Sequence, residues 1–328
     1  MIREFSFIEM LAARFGIKGP GLVKGIGDDC AHLEPAQSGV QLVTTDMLTH
    51  GIHFSERYLS WQDIGWRSVA VNLSDLAASG ADPSRPILMF LSIAVPRNLP
   101  NESLMSFVEG VEECAHNYGA LVAGGDSTST DGPFCVSITA VGYTDNPVSR
   151  DGASDGDLLC VCGEVGKAGA GFQLLDRGKK SDDRFGLCAA FGRPEPLLKA
   201  GHALASNKIA AAMLDISDSV ISDAKHLAVG GGCDVLIRIE DLPVPQGAID
   251  TMGRDKALKL AATFGDDYAL LCAISEENLE KAGKLVKNCG NSLTVIGRFS
   301  KGQGRITCQL DGKPFTAFIA GYQHDLGR

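Results

Sequence analysis

A mixed α/β protein in two domains is the fold this sequence predicts. Three observations carry that reading. The chain has 328 residues, about twice one domain, and 45% of them are apolar, enough for two cores. Short β-branched runs alternate with amphipathic stretches in both halves. A turn-dense stretch, DNPVSRDGASDGD at 145–157, separates the halves and places the boundary between residues 147 and 148.

The elements follow in order. VQLVTTDML (40–48) is β-branched and bounded by turn formers, which predicts a strand. SWQDIGWRSVAVNLSDLAASGA (60–81) predicts a helix: Ile64, Val69, Val71, Leu73, Leu76 and Ala77 recur, and Gly80 is the stop. ILMFLSIAVP (87–96) reads as a buried strand ended by proline. NESLMSFVEGVEECAHNYG (101–119) reads as an amphipathic helix capped by Asn101 and stopped by Gly119. ALVAGGD and PFCVSITAVGYT are the next strands. Beyond the boundary, DLLCVCGEVG predicts a strand, AGAGFQLLDRG a helix, 179–186 a polar loop and PEPLLKAGHALA a helix. AAMLDISD, CDVLIRIEDLP, DYALLCAIS, SLTVIGRFS and GRITCQLDG are the later strands. SVISDAKHLAVG, ALKLAATFG and EENLEKAGKLVKNCG are the later helices. No short-period repeat appears, which excludes a solenoid.

Net charge is −10, which argues against a general nucleic-acid or membrane surface, since both select a basic face. An acidic protein still binds phosphates when divalent cations bridge. The ten cysteines form no CxxC and lie mostly in apolar segments, as small core side chains in a reducing cytosol do. Closely spaced zinc ligands are missing. The N-terminus shows no basic-then-apolar signal pattern, and no apolar run reaches the roughly 18 residues of a membrane span. A cytoplasmic soluble protein is the expectation.

The aspartates carry the chemistry. Asp28 and Asp29 follow glycines in GIGDDC, and Asp46 ends an apolar strand beside Thr44 and Thr45. Asp75 interrupts an apolar helix, Asp126 ends a strand in AGGDST, Asp215 and Asp218 sit in LDISDSV, and Asp266 and Asp267 precede a strand in FGDDYALL. Six segments thus place nine carboxylates in apolar or glycine-rich surroundings. An ionised carboxylate there costs several kcal/mol unless paired. Lysines and arginines in these segments are too few to pair them all. Hard divalent cations with oxygen ligands are the natural counter-charge, and neighbouring hydroxyls suit the same ion. Taken singly, most of these aspartates read equally as caps or turns; Asp75, deep in a helical pattern, does not. The chain has no GxxxxGK[ST] and none of the protein-kinase motifs. GEVGKAGAG (163–171) reads either as a phosphate-approaching loop or as a tight strand-to-helix turn.

Taken together, GIGDDCA, TTDML…GIHF, AVNLSDLAASGA, GGDST, RDGASDGD, GRPEP, LDISD…ISD and GDDYALL resemble the thiamine-monophosphate kinase family, of the aminoimidazole ribonucleotide synthetase-like superfamily. The likeness spans residues 25 to about 271, with a weaker match at GYQHD (321–325). It implies ATP-dependent phosphorylation of thiamine monophosphate to thiamine diphosphate, direct and in line, with several Mg2+ ions. It implies a two-domain fold: an ATP- and Mg2+-binding dimerisation domain over 1–147, whose strands pair across a homodimer, and an α/β domain over 148–328. By the same resemblance, Asp29, Thr44, Thr45, Asp46, Asp75, Asp126, Asp215 and Asp218 match Mg2+ ligands. Gly125, Asp126, Arg150 and Ser217 match nucleotide contacts. His53, Asp266 and Tyr322 match the substrate side; no residue acts as acid or base, and metal-bound Asp46, Asp75 and Asp126 stabilise charge. Read without the resemblance, Arg150 is equally a solvated linker charge, His53 a structural histidine and Tyr322 a surface tyrosine. Two departures stand out. FGDDYAL replaces the usual GGEDYEL, so Asp266 is one methylene shorter than glutamate, and Ser219 stands where a glycine usually follows ISD.

The competing readings are other ATP-using members of the superfamily (aminoimidazole ribonucleotide, selenophosphate and hydrogenase-maturation types), a multi-metal phosphohydrolase, and a non-catalytic ion-binding protein. Selenophosphate enzymes are expected to carry a reactive residue in a glycine-rich N-terminal segment, where this chain's first cysteine is Cys30 in GDDC. Hydrogenase-maturation proteins are expected to end in a functional cysteine, whereas this chain ends GYQHDLGR. Calcium loops of the DxDxDG type are absent.

Overall fold

A computed structural model describes residues 4–26, 31–34 and 38–316. Two compact units divide the chain: Met1–Leu76 with Ala81–Asp145, and Ala77–Gly80 with Asn146–Arg328.

The first unit opens with α1 (Glu4–Phe15) and a short hairpin, β1 (Leu22–Lys24) and β2 (His32–Leu33). Its main sheet has four strands: β3 (Val40–Thr49), β4 (Ile87–Pro96), β5 (Ala120–Thr130) and β6 (Cys135–Thr144), in the order β3-β6-β4-β5. Only β4 and β5 are parallel. Two helices, α2 (Trp61–Ala78) and α3 (Asn101–Tyr118), complete it. Asn101 is not the cap expected of it. Pro100 takes that place, with φ −59° and ψ 141°, and no side chain caps the helix. Proline's fixed φ starts the turn without needing a capping side chain. The expected stop holds, because Gly119 closes α3 in the left-handed conformation.

The two helices meet backbone to backbone. A Cβ on Gly65 of α2 would lie 2.0 Å from the Phe107 carbonyl oxygen of α3, and one on Gly110 would lie 1.9 Å from that of Gln62. Only glycine permits so close a crossing. The core beneath holds Ile64, Leu73, Leu76, Met89, Phe107 and Phe134, all fully buried. Along β3 burial alternates, as a half-covered strand requires. Thr44, Asp46 and Leu48 face inward, while Val43 and Met47 are 63% and 58% exposed.

The second unit holds a seven-stranded sheet. Its strands are β7 (Leu158–Cys162), β8 (Ala210–Asp215), β9 (Cys233–Arg238), β10 (Leu270–Ile274), β11 (Leu293–Lys301), β12 (Ile306–Leu310) and β13 (Lys313–Pro314). Their order is β13-β12-β9-β11-β7-β10-β8, with only β9 and β12 parallel. The helices are α4 (Lys167–Asp176), α5 (Leu187–Gly192), α6 (Leu198–Ser206), α7 (Val220–Gly231), α8 (Gln246–Met252), α9 (Arg254–Thr263) and α10 (Leu279–Asn288). Ile221, Leu227, Leu258 and Ala262 of α7 and α9 pack with Leu159, Val161, Leu271 and Ile237 into one core. The register puts Cys160 and Cys272 side by side, out of that core on the sheet's other face. The nine described cysteines are free thiols, and burial pushes Cys160 up to about 12, as inert packing requires. Among the described residues no helix is long and apolar enough to cross a membrane.

Candidate active site

In the first unit, β3 and α2 bring three of the expected residues together. Thr44 Oγ1 donates to Asp75 Oδ2 at 2.5 Å. The Asp46 amide donates to Asn72 Oδ1 at 3.2 Å. Asp46 is pushed up to about 6, first by burial and then by the charge of Asp75. Asp75 occupies the last turn of α2, which has no basic residue. There the helix dipole opposes a negative charge. Helix end, burial and like charge therefore all call for a cation at this spot.

Thr45 and Asp126 take the other face of the sheet. Thr45 Oγ1 donates to the Ile138 carbonyl and accepts from Thr139 Oγ1, both at 3.2 Å. The pairing rows run Met47–Ser137–Ser92–Asp126 and Asp46–Ile138–Leu91–Gly125, so the register separates Asp126 from Asp46. Asp126 is exposed, and its Oδ1 accepts from the Ser127 amide at 2.8 Å. Gly125 has φ +152°, and a Cβ there would sit 1.8 Å from the Leu91 carbonyl oxygen. His53 closes the turn after β3, its Nδ1 accepting from the Thr49 amide at 2.9 Å. That tautomer places the ring proton on Nε2 when the imidazole is neutral. Asp29 and Tyr322 lie outside the described residues.

In the second unit, Asp215 ends β8 and is buried, with Ser217 exposed in the loop that follows. The segment before β10 lies along this loop: the Asp266 amide donates to the Ser217 carbonyl at 2.9 Å, and that of Tyr268 to Ile216 at 3.0 Å. A Cβ on Gly265 would be 1.9 Å from the Ser217 oxygen, so the approach needs glycine. Asp266 itself is left-handed, φ +68°, and its Oδ1 accepts from the Tyr268 hydroxyl at 3.3 Å. Asp267 turns away to α4, where its carboxylate accepts from the Gly166 and Ala168 amides at 2.6 and 3.0 Å. Burial outweighs those bonds and pushes it up to about 7. Two amides of the 163–171 loop are thus taken by protein, and at those positions the loop is a tight turn. Arg150 is exposed, on the segment beside β8 whose Ser149 carbonyl accepts from the Met213 amide at 3.0 Å.

Among the described residues no group of three or more His, Cys, Asp or Glu side chains forms a ready metal cluster. Asp46 and Asp75 are a pair, joined by the Thr44 hydroxyl that donates to Asp75. An all-oxygen donor set with net negative charge fits Mg2+ and not a soft metal.

The chain is similar to known proteins over nearly its whole length. Residues 27–144 match the family "AIR synthase related protein, N-terminal domain". The thiamine-monophosphate kinase of Salmonella typhimurium is 31% identical over 326 residues, 98% of each chain. This chain belongs to the thiamine-monophosphate kinase family. The crystal structure of that family's enzyme from Stenotrophomonas maltophilia K279a superposes with a TM-score of 0.83 at 31% identity, covering 96% of this chain and 98% of the other. AaThiL complexed with AMPPCP and TMP gives 0.76 at 28% identity, covering 99% of each.

For this thiamine-monophosphate kinase family member, the sequence alone missed two residues. Asn72 lies one helical turn before Asp75, and its Nδ2 donates to the Ser68 carbonyl at 3.0 Å, fixing the oxygen that receives the Asp46 amide. That i, i+3 spacing was the available signal. Asp223, in the second ISD string, was the other. It is buried and pushed up to about 7 by burial and by the charges of Asp218 and Asp215, against the amide bonds it accepts. The departure at Ser219 also gains a reason. Its φ of 171° is extended backbone open to any residue, and its Oγ accepts from the Ser222 amide at 3.1 Å. The serine caps α7, where such a cap contributes about 1 kcal/mol over alanine.

Proposed function

We propose that this protein transfers the γ-phosphoryl group of ATP to the phosphate of thiamine monophosphate, giving thiamine diphosphate and ADP. The carboxylate pair Asp46–Asp75, with Thr44 bound to it, carries the reading: an acid at an unfavourable helix end with a second, half-buried acid beside it on β3 suits an enzyme that gathers divalent ions around phosphates. Family membership and the AaThiL neighbour complexed with AMPPCP and TMP support it.

Thr44, Asp46 and Asp75 are proposed Mg2+ ligands, as are Thr45 and Asp126 on the sheet's other face and Asp215 and Asp218 in the second unit. Asp29 keeps its proposed ligand role from the sequence. Gly125, Arg150 and Ser217 are proposed nucleotide contacts, and His53, Asp266 and Tyr322 substrate contacts. Mg2+, when bound, neutralises the facing phosphates and the charge on the transferring group. The nucleophile is a phosphate oxygen of thiamine monophosphate, already anionic at neutral pH, so no protein base is required. It bonds to the γ-phosphorus as the bond from that phosphorus to the β,γ-bridging oxygen breaks. The protein's part is positioning and charge stabilisation.

Purified protein with ATP, Mg2+ and thiamine monophosphate is expected to yield thiamine diphosphate and ADP in equal amounts. Excess chelator stops the reaction and Mg2+ restores it. ADP release independent of thiamine monophosphate would instead identify a phosphohydrolase.

We also propose a homodimer built on β3. It is a ten-residue strand at the sheet edge, and Val40, Val43 and Met47 are exposed along it. A long apolar edge strand recruits another strand. Sedimentation at twice the 34.6 kDa chain mass is expected, and a monomer at micromolar concentration would refute the pairing.

A further inference from the structure

The end of β8 and the loop after it carry Asp215, Ser217 and Asp218, yet another residue holds the loop's shape. Two consecutive amides, those of Asp218 and Ser219, converge on one oxygen: both donate to Asp223 Oδ2 at 3.1 Å. Asp223 lies in the first turn of α7 and is 2% exposed. Its own amide donates back to the Ser219 carbonyl at 2.9 Å. Ser219 Oγ holds the next amide of the turn, from Ser222. Buried beside two like charges, Asp223 sits where a carboxylate is costly. A glutamine or leucine at a helix start would avoid that cost, but neither would place a short, fixed acceptor under both amides.

We propose that Asp223 is a positioning residue for phosphoryl transfer, fixing the loop so that the Asp215 and Asp218 carboxylates are held ready for Mg2+. This rests on the kinase reading and on those two aspartates as ligands. It acts through the oxygen that takes both amides. Asparagine keeps such an oxygen; alanine removes it.

The full chain is compared with Asp223→Asn and Asp223→Ala in three measurements. These are the Mg2+ concentration giving half-maximal rate, KM for thiamine monophosphate, and amide hydrogen exchange over 217–219. Asp223→Ala is expected to raise the Mg2+ requirement about 10- to 100-fold, the usual range for residues that orient metal ligands. It leaves KM for thiamine monophosphate within about twofold and speeds exchange at 218 and 219, as local opening does. Asp223→Asn stays within about threefold of the parent in Mg2+ requirement, since the acceptor oxygen remains. An unchanged Mg2+ requirement in Asp223→Ala overturns the proposal. So does an Asp223→Asn variant as impaired as alanine, which would assign the effect to charge. If alanine does not fold, Asp223→Ser takes its place, since its hydroxyl is one bond too short to reach both amides and the same rise in Mg2+ requirement and exchange is expected. A parent protein that makes no thiamine diphosphate refutes the kinase reading instead. The exchange measurement is independent of activity, and unchanged protection in a folded Asp223→Ala overturns the positioning role by itself.

Discussion

Asp46→Asn lowers kcat by about 10²–10³-fold at saturating Mg2+ and leaves the fold intact, the scale seen when one electrostatic stabiliser of a transition state is removed. Asp75→Asn does the same. Each substitution preserves shape and one acceptor oxygen, turns the other oxygen into an N–H donor, and deletes one negative charge from the pair. The asparagine variants should be at least as stable as the parent without Mg2+, because the repulsion between Asp46 and Asp75 is gone. The sign follows from the raised carboxyl of Asp46, about 6 in the folded chain against an ordinary 3.8. A raised carboxyl binds a proton more tightly folded than unfolded. Its favourable contribution is full below the unfolded value and is lost as pH rises through about 6. Mg2+ competes with that proton, so the Mg2+ requirement should climb as pH falls below about 6. Steady-state kinetics at several pH values with circular dichroism checks all of this. A folded Asp46→Asn enzyme with near-parental kcat would end the metal assignment.

Gly125→Ala is expected to destabilise the chain by about 2–4 kcal/mol, combining overpacking with a left-handed backbone strain. The added Cβ falls 1.8 Å from the Leu91 oxygen and 2.6 Å from its carbon, so β5 must lift from β4. Neither strand can yield cheaply, since they are paired from Ile87↔Ala120 to Pro96↔Thr130 with one register shift, between Met89 and Phe90. Asp126, the next residue, shifts with it, and activity falls beyond what stability loss explains. Urea unfolding and kcat at a temperature where the variant stays folded measure the two effects separately. A variant as stable as the parent would mean that the strands open at that point without cost.

Long periodic elements were legible in the sequence. The 60–81 stretch became α2 and 101–119 became α3, because each has enough turns to display its period. The six-residue α5 and seven-residue α8 were not, being too short to show one. Asp75 was legible as a residue needing a partner, because a carboxylate inside an apolar helix conflicts with its surroundings. The separation of Asp126 from Asp46 by sheet face was not. Which face an aspartate takes depends on register with β6 and β4, and that is set by pairing across the chain. Asp223 and Asn72 escaped because their partners are backbone amides, which leave no mark on composition.

The crossing at Gly65 and Gly110 reaches further than packing. Asp75 rides on the helix that Gly65 lets sink against its neighbour, and Asp46 rides on the strand beneath. A methyl group at either glycine would force the two helices apart, and the helix that carries Asp75 is one of them. Two residues with nothing beyond Cα, one on each helix, therefore bear on the placement of a negative charge that belongs to neither residue.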